Sequence, residues 1–195
     1  MAATIGETGT SFEGTRMNDP AFFGYGSLVN LATHDYADPR PARLSGWRRV
    51  WKTTDLRDMA FLSVEPAQGL LHGVVARVPG ADWAALDERE AAYRRHDVTD
   101  VVQHDGSKAQ TAIYQVMQEH HAEGTHPILL SYLDVVVQGY LQIYGADGVA
   151  DFFATTAGWH VGVRDDRSAP IYPRHQILTN DEMALVDKHL ATVIK

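Results

Sequence analysis

The chain has 195 residues, a mass of 21.6 kDa and a formal net charge of −8, from 17 Lys and Arg against 25 Asp and Glu. This length suits one domain, and a 45% hydrophobic content is too high for an intrinsically disordered chain. The negative charge disfavours nucleic-acid binding that depends on phosphate contacts. The absence of cysteine excludes disulfides, zinc–thiolate sites, iron–sulfur clusters and thiol nucleophiles.

The first 18 residues differ in composition from the rest of the chain. They are rich in Gly, Thr and charged residues without helical or strand periodicity, so residues 1–18 are predicted to be a disordered tail and residues 19–195 one folded domain. They carry neither a basic segment nor an apolar one, and no secretory signal is expected. No apolar run reaches about 18 residues, the length of a membrane span. We therefore expect a cytoplasmic protein with no membrane partner.

From Ala21 onward, short apolar runs separated by Gly and Pro predict strands. The predicted strands cover 21–28, 43–53, 60–66, 70–78, 100–103 and 111–118. Helices are predicted over 82–95, from its Ala, Leu, Glu and Arg content, over 127–144, and over 180–194. The last begins with Thr179 and Glu182 at capping-box spacing, and a short helix at 147–156 is a further candidate. This mixture without a regular βαβ alternation predicts an α+β fold with a mixed, barrel-like sheet and helices packed around it.

The string Gly24-Tyr25-Gly26-Ser27 directly follows the first predicted strand. Two glycines around a tyrosine allow a sharp turn and a close approach of backbone to ligand, and consecutive backbone N–H groups in such a turn bind carboxylates or oxyanions. No Gly-x-Gly-x-x-Gly pattern or P-loop lysine follows, so nucleotide binding has no support. An ordinary strand-ending turn remains the alternative.

On the predicted helix 82–95, Glu90 shares one face with three apolar residues. At about 100° per residue, Trp83, Leu86, Glu90 and Tyr93 fall within about 80° of one another. A carboxyl group that faces the interior has a raised pKa, as a general acid/base at neutral pH requires. The alternative is an ion pair with Arg94, one turn further on.

Other candidate residues carry weaker signals. His120, His121, Glu123 and His126 cluster, but their spacing differs from that of zinc-binding helices, so a solvated loop is favoured over a metal site. No Gly-x-Ser-x-Gly elbow supports a serine nucleophile. Tyr132, on the apolar helix 127–144, is typical of a core residue with a polar tip.

Four segments in this order resemble the γ-glutamylcyclotransferase-like family, which includes ChaC-type and AIG2-like proteins. They are Phe23-Gly24-Tyr25-Gly26-Ser27-Leu28, Leu44-Ser45-Gly46-Trp47-Arg48-Arg49, Gly73-Val74-Val75-Ala76-Arg77-Val78 and Leu86-Asp87-Glu88-Arg89-Glu90. Ser131-Tyr132-Leu133 resembles the helix that follows in the family. The sequence departs from the ChaC-type pattern at Ala91-Ala92-Tyr93, where a glycine usually precedes the tyrosine, and this leaves the subfamily open.

The resemblance implies a β-barrel-based mixed fold and the cyclisation of a γ-glutamyl group to 5-oxoproline, with release of an amine or amino acid. It implies that Tyr25, Gly26, Ser27, Leu28 and Tyr132 bind the γ-glutamyl substrate and that Glu90 is the catalytic acid/base. It implies no cofactor and no metal, since the substrate's own amine is the nucleophile.

Several functional alternatives remain open. Glutathione, γ-glutamyl amino acids and γ-glutamylamines are all candidate substrates, and the sequence predicts no oligomeric state. A non-catalytic member of the fold that binds a small ligand is the main alternative function. A metal-dependent hydrolase that uses the histidine cluster is a second.

Overall fold

The structure, a computed structural model, describes residues 19–194. The predicted tail, residues 1–18, therefore lies outside the described residues. Six strands form one curled, mixed sheet in the order β4-β6-β1-β3-β2-β5. They are β1 (Ala21–Gly24), β2 (Ala37–Lys52), β3 (Phe61–Arg77), β4 (Tyr93–Asp97), β5 (Val102–Gln103) and β6 (Thr111–Val116).

The short strand β1 lies between longer partners and is buried on both faces. It pairs antiparallel with β3 and parallel with β6. Alternate residues of a strand point to opposite faces, and accordingly Phe22 packs in a cluster with Leu86 while Phe23 packs in the main core. The loop that leaves β1 is thereby fixed at the centre of the sheet.

Within residues 19–194, three α-helices and a second small sheet surround this strand framework. The helices are α1 (Ala84–Arg89), α2 (Leu130–Thr155) and α3 (Asn180–Val193), and the two-residue strands β7 (Ile128–Leu129) and β8 (Val163–Arg164) pair in parallel. The α+β class with a mixed, barrel-like sheet is thus confirmed, although the six strands form a half-barrel with β4 and β5 at its edges. Within residues 19–194, no helix combines the length and the hydropathy of a membrane span.

The predicted helix over 82–95 is wrong beyond Arg89. Helix α1 is only six residues long, and Glu90 ends it with backbone angles outside the helical region. Residues Tyr93–Asp97 form strand β4, which pairs antiparallel with β6. The ladder to β6 satisfies the backbone of this segment, and this tertiary pairing outweighs the helix propensity of Arg94 and Arg95.

The predicted helix over 127–144 begins three residues late, because Ile128 and Leu129 pair with β8 instead. Helix α2 then continues beyond residue 144 and contains a kink at Gly145, whose φ of 67° departs from helical geometry. The segment after this kink corresponds to the short helix predicted at 147–156. The capping box of α3 is confirmed: the Thr179 side chain accepts from the Glu182 backbone, and the Glu182 side chain accepts from the Thr179 backbone.

Candidate active site

A cavity of about 620 Å³ opens where six segments of the chain meet. Its walls come from the loop after β1, the loop between β2 and β3, the turn between α1 and β4, the segment between β6 and β7, the start of α2, and a segment that precedes α3. Ser27, Glu90 and Tyr132 contribute to its lining, so three of the predicted site residues face one space.

The glycines of the loop after β1 allow close packing within the protein. A Cβ atom on Gly24 would lie 2.8 Å from Leu28 Cβ, and one on Gly26 would lie 2.8 Å from the Tyr132 hydroxyl. Residues Ser27–Val29 form a 3-10 turn directly after Gly26. Gly26 therefore leaves room for the Tyr132 hydroxyl at the cavity wall.

Tyr25 and Leu28 lie beneath this surface. Both are buried, and they line a small void of about 30 Å³ instead of the large cavity. The Tyr25 hydroxyl donates to the Tyr114 carbonyl at 2.6 Å, and its own carbonyl accepts from the Tyr140 hydroxyl at 3.0 Å. Burial raises the pKa of Tyr25 well above its usual value, and the nearby charge of Glu90 adds to this effect. This tyrosine therefore stays neutral and anchors the loop.

Glu90 lies between the small void and the large cavity and lines both. Its side chain is 15% exposed, and its nearest cation is Arg89, with 3.4 Å between Arg89 Nε and Glu90 Oε1. Burial raises the pKa of Glu90, while the charges of Arg89 and Arg174 oppose this rise. The ion pair with Arg94 that the sequence left open is wrong, because Arg94 faces Glu119 at 3.6 Å.

Arg89 joins the loop after β1 to Glu90 and was not among the predicted site residues. Its guanidinium donates to the Thr33 carbonyl at 3.0 Å and to the Ser27 and Thr33 hydroxyl groups at 3.2 Å each. A helical wheel over 82–95 places Arg89 away from the apolar face, and Arg89 does lie within α1. The partners of Arg89 come from the loop after β1, which is distant in the sequence, so periodicity could not identify this residue.

Three tyrosines, Tyr93, Tyr132 and Tyr172, line the cavity together with Glu90 and contribute both apolar rings and polar hydroxyl groups. The Tyr93 hydroxyl donates to the Leu62 carbonyl at 3.1 Å, and the Tyr132 ring packs edge-on against Tyr172 with 4.9 Å between centroids. Burial raises the pKa of Tyr132, and a hydrogen bond with the Ser27 backbone opposes this rise. Tyr132 is therefore a neutral hydroxyl group at the cavity wall, and not only a core residue.

The histidines of the segment 120–126 do not meet at one site. His120 lines the cavity and faces Asp55 at 3.6 Å, while His121 forms a backbone bridge with Thr54. In the described part of the chain, no three His, Asp or Glu side chains are grouped closely enough to hold a metal ion.

A family model described as gamma-glutamyl cyclotransferase, AIG2-like, matches residues 22–133. This stretch contains the loop after β1, Glu90 and Tyr132, and it is more than half of the chain. The chain belongs to this family. Among curated proteins, no sequence matches it.

Solved structures share the fold of this family member at low sequence identity. YkqA from Bacillus subtilis aligns with a TM-score of 0.57 and 22% identity over 72% of this chain, which spans 56% of the YkqA chain. A gamma-glutamyl cyclotransferase and the human uncharacterized protein loc79017 each align with a TM-score of 0.57 and 15% identity. These alignments cover 88% and 87% of this chain and 99% of each relative. The similarity therefore extends over nearly the whole fold of these two proteins.

Proposed function

We propose that this protein is a γ-glutamylcyclotransferase, which converts a γ-glutamyl compound to 5-oxoproline and releases an amino acid or amine. The observation that carries the proposal is Glu90, a carboxyl group with a raised pKa at the wall of a 620 Å³ cavity, beside the loop after β1. A raised pKa suits a group that must both accept and return a proton near neutral pH.

In the proposed reaction the substrate supplies its own nucleophile. The α-amine nitrogen attacks the γ-carbonyl carbon, forming the five-membered ring, and the bond from that carbon to the leaving nitrogen then breaks. Glu90 takes a proton from the attacking amine and returns it to the leaving nitrogen, so the enzyme ends unchanged. The protein's main contribution is to hold the chain of the substrate folded back on itself.

The transient oxyanion on the γ-carbon requires hydrogen-bond donors. The Tyr132 hydroxyl is one candidate, because it lines the cavity next to Gly26 and its raised pKa keeps it protonated. The backbone N–H groups of the turn after β1 are further candidates, because Ser27 in this turn lines the cavity. Arg89 would keep Ser27 in place, and Tyr25 would act as an anchor for the loop.

The test measures 5-oxoproline release from glutathione, γ-glutamyl amino acids and γ-glutamylamines. 5-Oxoproline and the released amino acid or amine should form in equal amounts. We expect at least one class to be converted. Binding of these compounds without 5-oxoproline release would support the non-catalytic alternative. The absence of both binding and turnover would contradict both functions. A cytoplasmic location remains a prediction.

A further inference from the structure

Two arginines on the cavity wall have guanidinium groups without a partner in residues 19–194. Arg57 lies on the loop between β2 and β3, Arg174 lies on the segment before α3, and both are exposed. Among the described residues, no side chain or backbone group forms a hydrogen bond or ion pair with either guanidinium. Arg89, the third arginine on the wall, is already engaged with Ser27 and Thr33.

The segment that carries Arg174 is held firmly against the start of α2. Asp166 accepts from the Ser131 backbone at 2.8 Å, from the Ser131 hydroxyl at 2.6 Å and from the Ile171 backbone at 2.9 Å. Tyr172 then packs edge-on against Tyr132. Arg174 follows two residues later and is therefore presented to the cavity by a fixed backbone.

Arg174 lies close enough to Glu90 for its charge to act on that carboxyl group, but it forms no ion pair with it. It also lines a neighbouring cavity of about 360 Å³, whose wall includes Thr33, Tyr36 and Arg89. A group bound at Arg174 would consequently lie next to Glu90, on the side of the neighbouring 360 Å³ cavity.

We propose that Arg174 is a specificity-determining residue that binds a carboxylate on the fragment released by the reaction. This inference rests on the proposed function. In the proposed reaction Glu90 returns the proton to the leaving nitrogen. In a γ-glutamyl amino acid, the carbon bonded to this nitrogen carries a carboxylate. An unpaired guanidinium near Glu90 matches that carboxylate in charge and geometry.

The charge of the cavity wall agrees with this assignment. Three arginines face two carboxylates, Glu88 and Glu90, in a chain whose net charge is −8. This local excess of positive charge favours anionic fragments, and it disfavours a leaving amine that carries a second ammonium group. We therefore expect γ-glutamyl amino acids to be preferred over γ-glutamylamines.

The experiment compares γ-glutamyl-alanine with γ-glutamyl-alaninamide, in which an uncharged carboxamide replaces the carboxylate of the leaving fragment. For the wild-type protein, kcat/KM for 5-oxoproline release should be about tenfold higher with the carboxylate, the scale of one charge-assisted contact at a solvated site. Arg174→Gln should abolish this preference by lowering kcat/KM for γ-glutamyl-alanine alone. Arg164→Gln makes the same change on an exposed residue of β8 outside the cavity, and it should retain the preference.

Each other outcome has a separate meaning. An equal loss for both compounds in Arg174→Gln would place Arg174 on the glutamyl carboxylate that they share, and would overturn the inference while the proposed function stands. Equal wild-type rates for the two compounds, or a preference that survives in Arg174→Gln, would overturn it as well. Release of 5-oxoproline from neither compound would contradict the proposed function itself.

Discussion

At the scale of single residues, Glu90 has the environment that the proposed chemistry needs. Its pKa is raised by burial and kept from rising further by Arg89 and Arg174. We expect Glu90→Gln to lower kcat by about 10²–10⁴-fold, the usual contribution of one positioned proton-transfer group. KM should change little, because the amide keeps the shape and most hydrogen bonds of the carboxyl group. Steady-state 5-oxoproline release measures both constants.

The matched control for this variant is Glu119→Gln, which makes the same change on a carboxylate that is 57% exposed and paired with Arg94. It should retain wild-type turnover. If Glu90→Gln kept more than about a tenth of the wild-type rate, Glu90 would not be the acid/base.

The same variant also has a predictable effect on stability. A carboxyl group whose folded-state pKa is raised makes its full contribution to stability below its unfolded-state pKa. This contribution is lost as the pH rises through the folded-state pKa, because the buried group must then ionise. The melting temperature of Glu90→Gln should therefore equal or exceed that of the wild type at pH 7. This advantage should disappear as the pH falls below the ordinary glutamate pKa, about 4.3.

Gly26 provides a second test at this scale, because its missing side chain leaves space for the Tyr132 hydroxyl. Gly26→Ala should displace this hydroxyl with only a modest loss of stability, since the end of a side chain can shift more easily than backbone. If Tyr132 stabilises the oxyanion, turnover should fall by about 10²-fold.

The double variant Gly26→Ala/Tyr132→Phe separates the steric effect from the chemical one. Removing the hydroxyl relieves the contact, so the melting temperature should recover while turnover stays low. Wild-type turnover in Gly26→Ala would show that this loop position is an ordinary turn.

At the scale of secondary-structure elements, the sequence predicted strands and capped helices better than it predicted the turn that carries Glu90. Strand composition located β1, and the Thr179–Glu182 spacing located α3. The residues after Glu90 favour a helix locally, yet Tyr93 pairs with Val116 from a distant strand. Local propensity does not include the energy of that pairing. Arg89 was missed because its partners, Ser27 and Thr33, lie in a loop that is distant in the sequence.

The segment before α3 gives a prediction for an element. Burial opposes the charge of Asp166, but its hydrogen bonds from Ser131 and Ile171 outweigh this effect and lower its pKa. Asp166→Asn converts one accepting oxygen into a donor, and should destabilise the fold by about 1–3 kcal/mol at pH 7. It should also raise KM, because Tyr172 and Arg174 would lose their support. Thermal unfolding and 5-oxoproline release measure the two effects.

The neighbouring change Asp165→Asn is the control, because Asp165 is exposed and its contact with the Arg167 backbone can be kept by an amide oxygen. A lowered pKa stabilises the fold above the unfolded-state value and loses this contribution as the pH falls through the folded-state value. The stability difference between Asp166→Asn and wild type should therefore shrink on acidification. A difference that stayed constant down to pH 2 would exclude the charge of Asp166 as its source.

At the scale of the whole molecule, the sequence motifs anticipated residues that are far apart in the chain but close in the fold. Ser27, Glu90 and Tyr132 line one cavity because β1, α1 and α2 meet around the sheet. Arg57, Tyr172 and Arg174 complete the cavity wall, but they lie in irregular segments without periodicity or a motif. Their positions depend on tertiary contacts such as those of Asp166 with Ser131, which no local pattern indicates.

The proposed reaction as a whole also predicts that turnover is independent of metal ions. In the proposed mechanism the α-amine is the nucleophile, Glu90 transfers the proton, and Tyr132 with the backbone of the turn after β1 stabilises the oxyanion, so no step requires a Lewis acid. Dialysis against a chelator should therefore leave kcat and KM unchanged. Added Zn²⁺, Mg²⁺ or Mn²⁺ should not increase turnover above the undialysed level. Loss of activity on dialysis that one of these ions specifically restores would contradict the mechanism, and the first ligands to test would be His120, which lines the cavity, and Asp55, which lies 3.6 Å from it.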